Sequence, residues 1–186
     1  MSLLTHISSL LPLSKKLEQE INALAKPLEV LKGKNILNKG ERCSHLYFVE
    51  QGLLRGYYFD EEKEITHWFA RENEFATGFY SFISRESSFE YIQALEDCHL
   101  LQISHVALQD LYKNFPETER LGRIITENYY LKLEERLLSI QFKTAKERYT
   151  HLLDSNPNLL QRAPLGQIAS YLGITQETLS RIRAEI

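Results

Sequence analysis

Three hydrophobic rhythms divide the chain. Leu10, Leu13, Leu17, Ile21 and Leu24 recur every three or four positions, which predicts helix between Leu3 and Ala25. Ser14 stands where it can cap the second part of that helix, and Pro27 where it can end it. After Pro27 the pattern changes to short runs of β-branched and aromatic residues: Val30, Ile36–Leu37, Leu46–Val49, Leu53–Phe59, Ile65–Phe69, Phe89–Leu95 and Leu100–Ile103. Gly33, Gly40, Gly52, Asp60–Lys63 and Asn73–Glu74 separate them. Short strands repeated at about 8–12 residues predict a sandwich or barrel rather than alternating β and α units.

Helical spacing returns at Ser104. Val106, Leu108, Leu111 and Tyr112 predict a short helix ending before Pro116, and the proline-free stretch from Glu117 to Phe142 predicts a single long one. Its acidic start, Glu117 and Glu119, and the Lys143 at its end suit the helix dipole. Leu121, Ile124, Leu131 and Leu138 keep a heptad-like spacing broken by Asn128 and Glu135, while Ile125, Tyr129, Leu133 and Ile140 fill another face. One apolar face can pack on the chain's own β region. The other needs a partner, and a second copy of the same helix is the economical one. A homodimer is therefore expected, with Leu121, Ile124, Ile125, Asn128, Leu131 and Leu138 at its interface.

Beyond this helix, Ala145–Asp154 reads as helix and Ser155–Asn158 as a turn. The segment from Pro164 is the most specific in the chain. Leu165, Ile168, Ala169 and Leu172 form one face of a short helix that Gly173 can end in the left-handed conformation. Ile174 plugs the corner, Thr175 is an N-cap, and a second helix buries Leu179, Ile182 and Ile186. This is the pattern of a helix–turn–helix, with small Ala169 allowing close approach. Its second helix would present Gln176, Glu177, Ser180, Arg181 and Ala184 outward, a set suited to base edges, with Thr175, Gln176 and Ser180 assisting through bases or phosphates. Arg can donate two hydrogen bonds to guanine, and Glu can accept from a cytosine amino group.

Composition narrows the class. The chain has 186 residues, 43% of them hydrophobic, enough for one large or two small packed domains. No apolar run reaches the ~18–20 residues of a membrane span, and Met1–Leu13 lacks a basic leader region, so a soluble, cytoplasmic protein is expected. Cys43 and Cys98 stand far apart with no Cys-x-x-Cys, against a disulfide scaffold, a zinc finger or a cysteine-rich iron–sulfur site. The six histidines form no His-x-His pair, and there is no nucleophile elbow, P-loop or dinucleotide fingerprint, so no catalytic residue and no metal site is assigned. The segment from Lys143 onward carries six basic and four acidic residues against sixteen and twenty-one before it, an acidic body with a mildly basic tail.

The order of these elements, with the motifs Gly33-Lys-Asn-Ile-Leu-Asn-Lys-Gly40, His45-Leu-Tyr-Phe-Val-Glu-Gln-Gly52 and Thr175-Gln-Glu-Thr-Leu-Ser-Arg181, resembles the CRP/FNR superfamily of bacterial transcription regulators along essentially the whole chain. The resemblance implies an α+β protein. Residues 1–116 would be a cyclic-nucleotide-binding-like jelly roll with flanking helices, 117–142 a dimerisation helix, and 143–186 a helix–turn–helix domain lacking most or all of the wing. It implies a homodimer on double-stranded DNA, at a palindromic operator with half-sites about one turn apart, and RNA polymerase as a further partner. Glu177, Ser180 and Arg181 match the family's base-reading positions. Without a wing, non-specific affinity is expected to be low.

The sensor region departs from the family's cyclic-nucleotide readers. Gly78 stands where their ribose-binding Glu would be, and Ser88 where the phosphate-binding Arg would be; Glu90 adds negative charge, and Arg85 reads as a solvated loop cation. Cyclic AMP is therefore not the expected effector, and no cofactor is assigned. His67, the one residue resembling a haem ligand, reads as a hydrogen-bonded core residue, and the two cysteines as inert. The aromatic cluster Phe75, Phe79, Tyr80, Phe82, Phe89 and Tyr91 is either roll core or an apolar effector pocket, whose candidate residues are Phe75, Thr77, Gly78, Phe79, Ser88 and Tyr91. The reading that competes with a DNA-binding regulator is a small-molecule-sensing module acting through protein contacts.

Overall fold

The structure is a computed structural model that describes residues 2–185. Two helices lead, α1 (Leu3–Leu10) and α2 (Lys15–Leu24). The apolar spacing runs through both, but Pro12 divides them, and Ser2 and Ser14 cap them by accepting the Thr5 and Leu17 amides. Pro27 does not terminate α2. It sits in the edge strand β1 (Lys26–Val30), where a missing N–H costs little.

Among the described residues β1 is joined by seven further strands, β2 (Asn35–Leu37), β3 (His45–Gln51), β4 (Leu54–Asp60), β5 (Lys63–Ala70), β6 (Phe75–Ala76), β7 (Tyr91–Ala94) and β8 (Cys98–Ser104), and all but β6 fall at predicted runs. They form two antiparallel four-stranded sheets in the orders β1-β8-β3-β6 and β2-β7-β4-β5. Two residues of β6 and the helix α3 (Phe79–Ser84) are too short to show a periodicity and have no counterpart in the predicted elements. Leu37, Val49, Leu54, Ile92, Ala94 and Leu100 pack between the sheets, none more than 3% exposed.

Helix α4 (His105–Asn114) leads into α5 (Pro116–Phe142), whose Pro116 occupies the first turn, where its lacking N–H is harmless. The first half of α5 lies on the roll and on α1 and α2. Leu121 is buried there, Ile124, Ile125 and Tyr129 pack on the same cluster, and the Tyr129 hydroxyl donates to the Phe75 carbonyl. This corrects the interface expected from heptad spacing: Leu121 is 4% exposed in the single chain and has no surface left to offer a partner. Asn128 is exposed. The second half emerges from the roll with Tyr130, Leu131, Leu133, Leu137, Leu138, Ile140 and Phe142 all 45% exposed or more.

Helices α6 (Ala145–Ser155), α7 (Leu159–Arg162), α8 (Leu165–Tyr171) and α9 (Gln176–Ala184) complete the chain. Thr144 and Glu147 form a reciprocal capping box on α6. The core of this unit, around Ile168, Ala169, Leu172 and Leu179, is continuous with Leu53 and Leu95 of the roll.

Candidate DNA-binding helix and sensor core

The corner between α8 and α9 is built from backbone chemistry. Gly173 adopts φ +67°, its N–H donates to the Ser170 carbonyl, and the Ile174 N–H reaches back to Ala169 at 3.0 Å. This pair of bonds is the Schellman arrangement, which satisfies two of the carbonyls a helix end leaves open. Two arginines take the next ones: Arg136 of α5 donates to the Tyr171 carbonyl and Arg148 of α6 to Leu172, each at 2.9 Å. Arg136 also stacks over the Tyr171 ring at 4.0 Å, so the corner is held by the long helix.

Thr175 caps α9 by accepting the Thr178 amide at 3.2 Å. Leu179 and Ile182 point into the core, and Thr175, Gln176, Glu177, Ser180 and Arg181 are exposed on the opposite side. Local amide bonding, the Thr175 hydroxyl and the Arg181 charge hold the Glu177 carboxyl below its ordinary pKa, so it is an acceptor at neutral pH. Arg181 has no carboxylate within ion-pair distance among the described residues, leaving its guanidinium face to solvent. Ile186, expected to join the buried face of α9, lies outside the described residues.

The helix–turn–helix is docked on its own roll. Ser170 of α8 accepts the Thr66 amide at 2.9 Å and donates to the Glu64 carbonyl. Arg162 of α7 reaches both oxygens of Glu72, at 2.7 and 2.9 Å, and also those of Glu96. Arg71 donates to Asn156, and Tyr171 packs on Phe69 with ring centroids 5.2 Å apart. None of these pairs is visible in the sequence, because each joins residues more than 60 positions apart with no local spacing to mark it.

Inside the roll, the six candidate effector residues divide. Phe75, Thr77 and Phe79 line a cavity against α4 and α5; Gly78, Ser88 and Tyr91 do not. Ser88 is buried and spent on the turn, donating to the Glu90 carbonyl and accepting the Glu90 amide. Tyr91 stacks on Tyr57 at 5.0 Å. A Cβ at Gly78 would lie 2.7 Å from Leu37 Cδ2 and 3.3 Å from Glu90 Oε1, so the space beside it is already taken.

Glu90 is 4% exposed and is the organising group of this region. One of its oxygens accepts from Trp68 Nε1 at 3.0 Å and lies 2.8 Å from His67 Nε2. The Trp68 indole rests on Gly56, where a Cβ would come within 2.1 Å of Cε2. His67 is thus a hydrogen-bonded side chain, as expected, although its outer edge remains partly exposed. Arg85 is not the solvated loop cation of the sequence reading. It adopts φ +63°, and its guanidinium donates to the Cys43 and Phe82 carbonyls. The aromatic cluster is likewise divided: Phe75 and Phe82 are buried, whereas Tyr80 and Phe89 form an exposed pair.

A two-sheet roll, a long helix with an apolar exposed half, and a capped helix–turn–helix with a polar outer face give the chain the architecture of a two-part regulator. Comparison with known proteins agrees. Residues 27–115 match the family described as the cyclic nucleotide-binding domain. Electron transport regulator A of Shewanella oneidensis is 22% identical over 188 residues, covering 91% of this chain and 72% of that protein. The fumarate and nitrate reduction regulatory protein of Vibrio cholerae is 25% identical over 182 residues, covering 89% and 72%. Among solved structures, FixK2 from Bradyrhizobium japonicum superposes with a TM-score of 0.75 at 22% identity, over 87% of this chain and 83% of that one. CLP of Xanthomonas campestris, described as c-di-GMP responsive, gives 0.72 at 18% identity, over 92% and 91%. Along most of its length the chain is thus similar to bacterial regulatory proteins of the CRP/FNR type. The relatives it matches are regulatory proteins, and the competing reading of a module acting only through protein contacts is not favoured. No helix among the described residues is long and apolar enough to cross a membrane.

Proposed function

We propose that the protein regulates transcription as a homodimer that lays two copies of α9 into successive major grooves of a palindromic operator. Arg181 and Glu177 read base edges, and Gln176, Ser180 and Thr175 add contacts to bases or phosphates. The observation that carries this reading is the division of α9, with Leu179 and Ile182 buried and the five polar positions exposed from the capped first turn onward. The dimer forms through the second half of α5, where Leu131 and Leu138 are 54% and 47% exposed and Leu133 and Leu137 extend the apolar surface. The division of labour follows the elements, with the sensor unit up to 116, the dimer helix over 117–142 and the DNA-binding unit from 143. RNA polymerase is the further partner through which bound DNA would be read out.

The roll interior does not favour a cyclic nucleotide. A phosphate there would meet the buried Glu90 carboxylate, and the nearby guanidinium of Arg85 is committed to backbone carbonyls. Selection of bound DNA from a randomised palindromic library tests the whole reading. The wild type should enrich a two-fold-symmetric site with half-sites one helical turn apart. Arg181→Ala should lose about 1–3 kcal/mol of specific binding, roughly 5- to 150-fold. Equal affinity of the mutant for the selected site would remove Arg181 from the reading face.

A further inference from the structure

A cavity of about 210 Å³ lies between the roll and the helices. Phe75 and Ile103 of the roll, Phe82 of α3, Leu111 of α4, and Leu121 and Ile125 of α5 form its apolar wall. No Lys, Arg, Asp or Glu lines it. Burial and the Arg85 charge lower the pKa of His105, its one imidazole. An apolar engineered cavity of about 150 Å³ takes up benzene, so this one has room for a single aromatic ring or a small bicyclic molecule.

Of the three threonine hydroxyls in the wall, two are already used. Thr77 donates to the His45 carbonyl at 2.9 Å and Thr126 to Gly122 at 2.8 Å. Thr118 is 3% exposed, lines the cavity, and its hydroxyl oxygen has no hydrogen-bond partner. A buried hydroxyl without a partner is costly and rare in a folded protein, and a group supplied from the cavity would satisfy it.

We propose that this cavity is an effector site for a small neutral, mainly apolar molecule carrying one hydrogen-bonding group, which pairs with the Thr118 hydroxyl. The absence of charge in the wall selects against carboxylates and phosphates, because an ion placed there loses its hydration without gaining a partner. The term effector rests on the regulator reading above; the binding site does not. Thr118, Leu121, Gly122, Ile125 and Thr126 all belong to α5, and Tyr130, the first residue of its exposed apolar half, follows one turn after Thr126. A ligand in the cavity therefore touches the helix that would carry the dimer contact.

The test uses the full chain and three probes of similar size: toluene, indole and benzoate. Calorimetry and thermal unfolding should show saturable single-site binding of toluene and indole with a raised Tm, and none of benzoate. Nuclear Overhauser contacts from indole to the Ile125 methyl groups should locate it. Thr118→Val keeps the side-chain shape and removes the orphaned hydroxyl, so the unliganded variant should unfold no earlier than the wild type. It should bind indole about tenfold more weakly and toluene equally well. Failure of both neutral probes to bind, equal binding of benzoate, or an unchanged indole affinity in Thr118→Val would each overturn the assignment. Probe binding without DNA selection would uphold the cavity and overturn the DNA reading. DNA selection without probe binding would do the reverse.

Discussion

Replacing Arg162 by Ala removes the ionic contact that joins the C-terminal helices to the roll. The guanidinium serves two carboxylates at once, Glu72 through a two-pronged contact at 2.7 and 2.9 Å and Glu96 through a second pair. Glu72 also accepts the Gly52 amide at 2.9 Å. Hydrogen bonding to Arg162 comes first among the causes that lower the Glu72 pKa from 4.5 to about 2, with the Gly52 amide adding to it. A shift of that size is worth roughly 3 kcal/mol at about 1.4 kcal/mol per pH unit. Glu72 and Glu96 are each 34% exposed, however, so solvent screening reduces the contribution to about 1–2 kcal/mol. Because the folded pKa lies below the unfolded one, this stability is present above about pH 4.5. It is lost as the pH falls toward 2.

The assay is urea unfolding of the wild type, Arg162→Ala, Glu72→Gln and the double variant at several pH values. Trp68, the single tryptophan, reports on the roll, and far-ultraviolet circular dichroism reports on the helices. At pH 7 Arg162→Ala should unfold about 1–2 kcal/mol more easily, with a non-additive double variant. The difference should narrow between pH 4.5 and pH 3. Equal stability at pH 7, additive single effects, or a difference that stays constant through the acid range would refute the argument.

Two further outcomes follow from the packing. Leu131→Asp with Leu138→Asp places two charges on exposed positions of α5, so the chain should stay folded and sediment as a monomer; a persistent dimer would move the interface elsewhere. Gly56→Ala forces a Cβ to within 2.1 Å of the Trp68 ring, so the indole must shift away from Glu90. A cost of about 1–3 kcal/mol and an altered tryptophan emission are expected, and unchanged emission with wild-type stability would contradict the close contact.

Helix α5 shows how periodicity and tertiary contact divide the information. A 3.6-residue repeat reports that a position is apolar and on a given face, but not what covers that face. Leu121 and Leu138 therefore look alike in the sequence, yet the first is buried by the chain's own roll and the second is not. The same holds for Phe75 and Phe89, two aromatics of one cluster with opposite exposure.

Short-range chemistry is legible along the chain: the seven strand runs, the Ser14 and Thr175 caps, the Gly173 corner and the polar face of α9. Each depends on residues within about four positions of one another, where backbone geometry and side-chain type act directly. The long-range contacts arise only on folding. The Arg162 contact with Glu72 spans 90 residues, the Glu90 contact with Trp68 spans 22, and Ser170 meets Thr66 across 104. The cavity beside Thr118 gathers residues from Ile7 to Thr126. Such sites are set by how the helices settle against the roll, a balance of packed area and satisfied polar groups that no local pattern encodes.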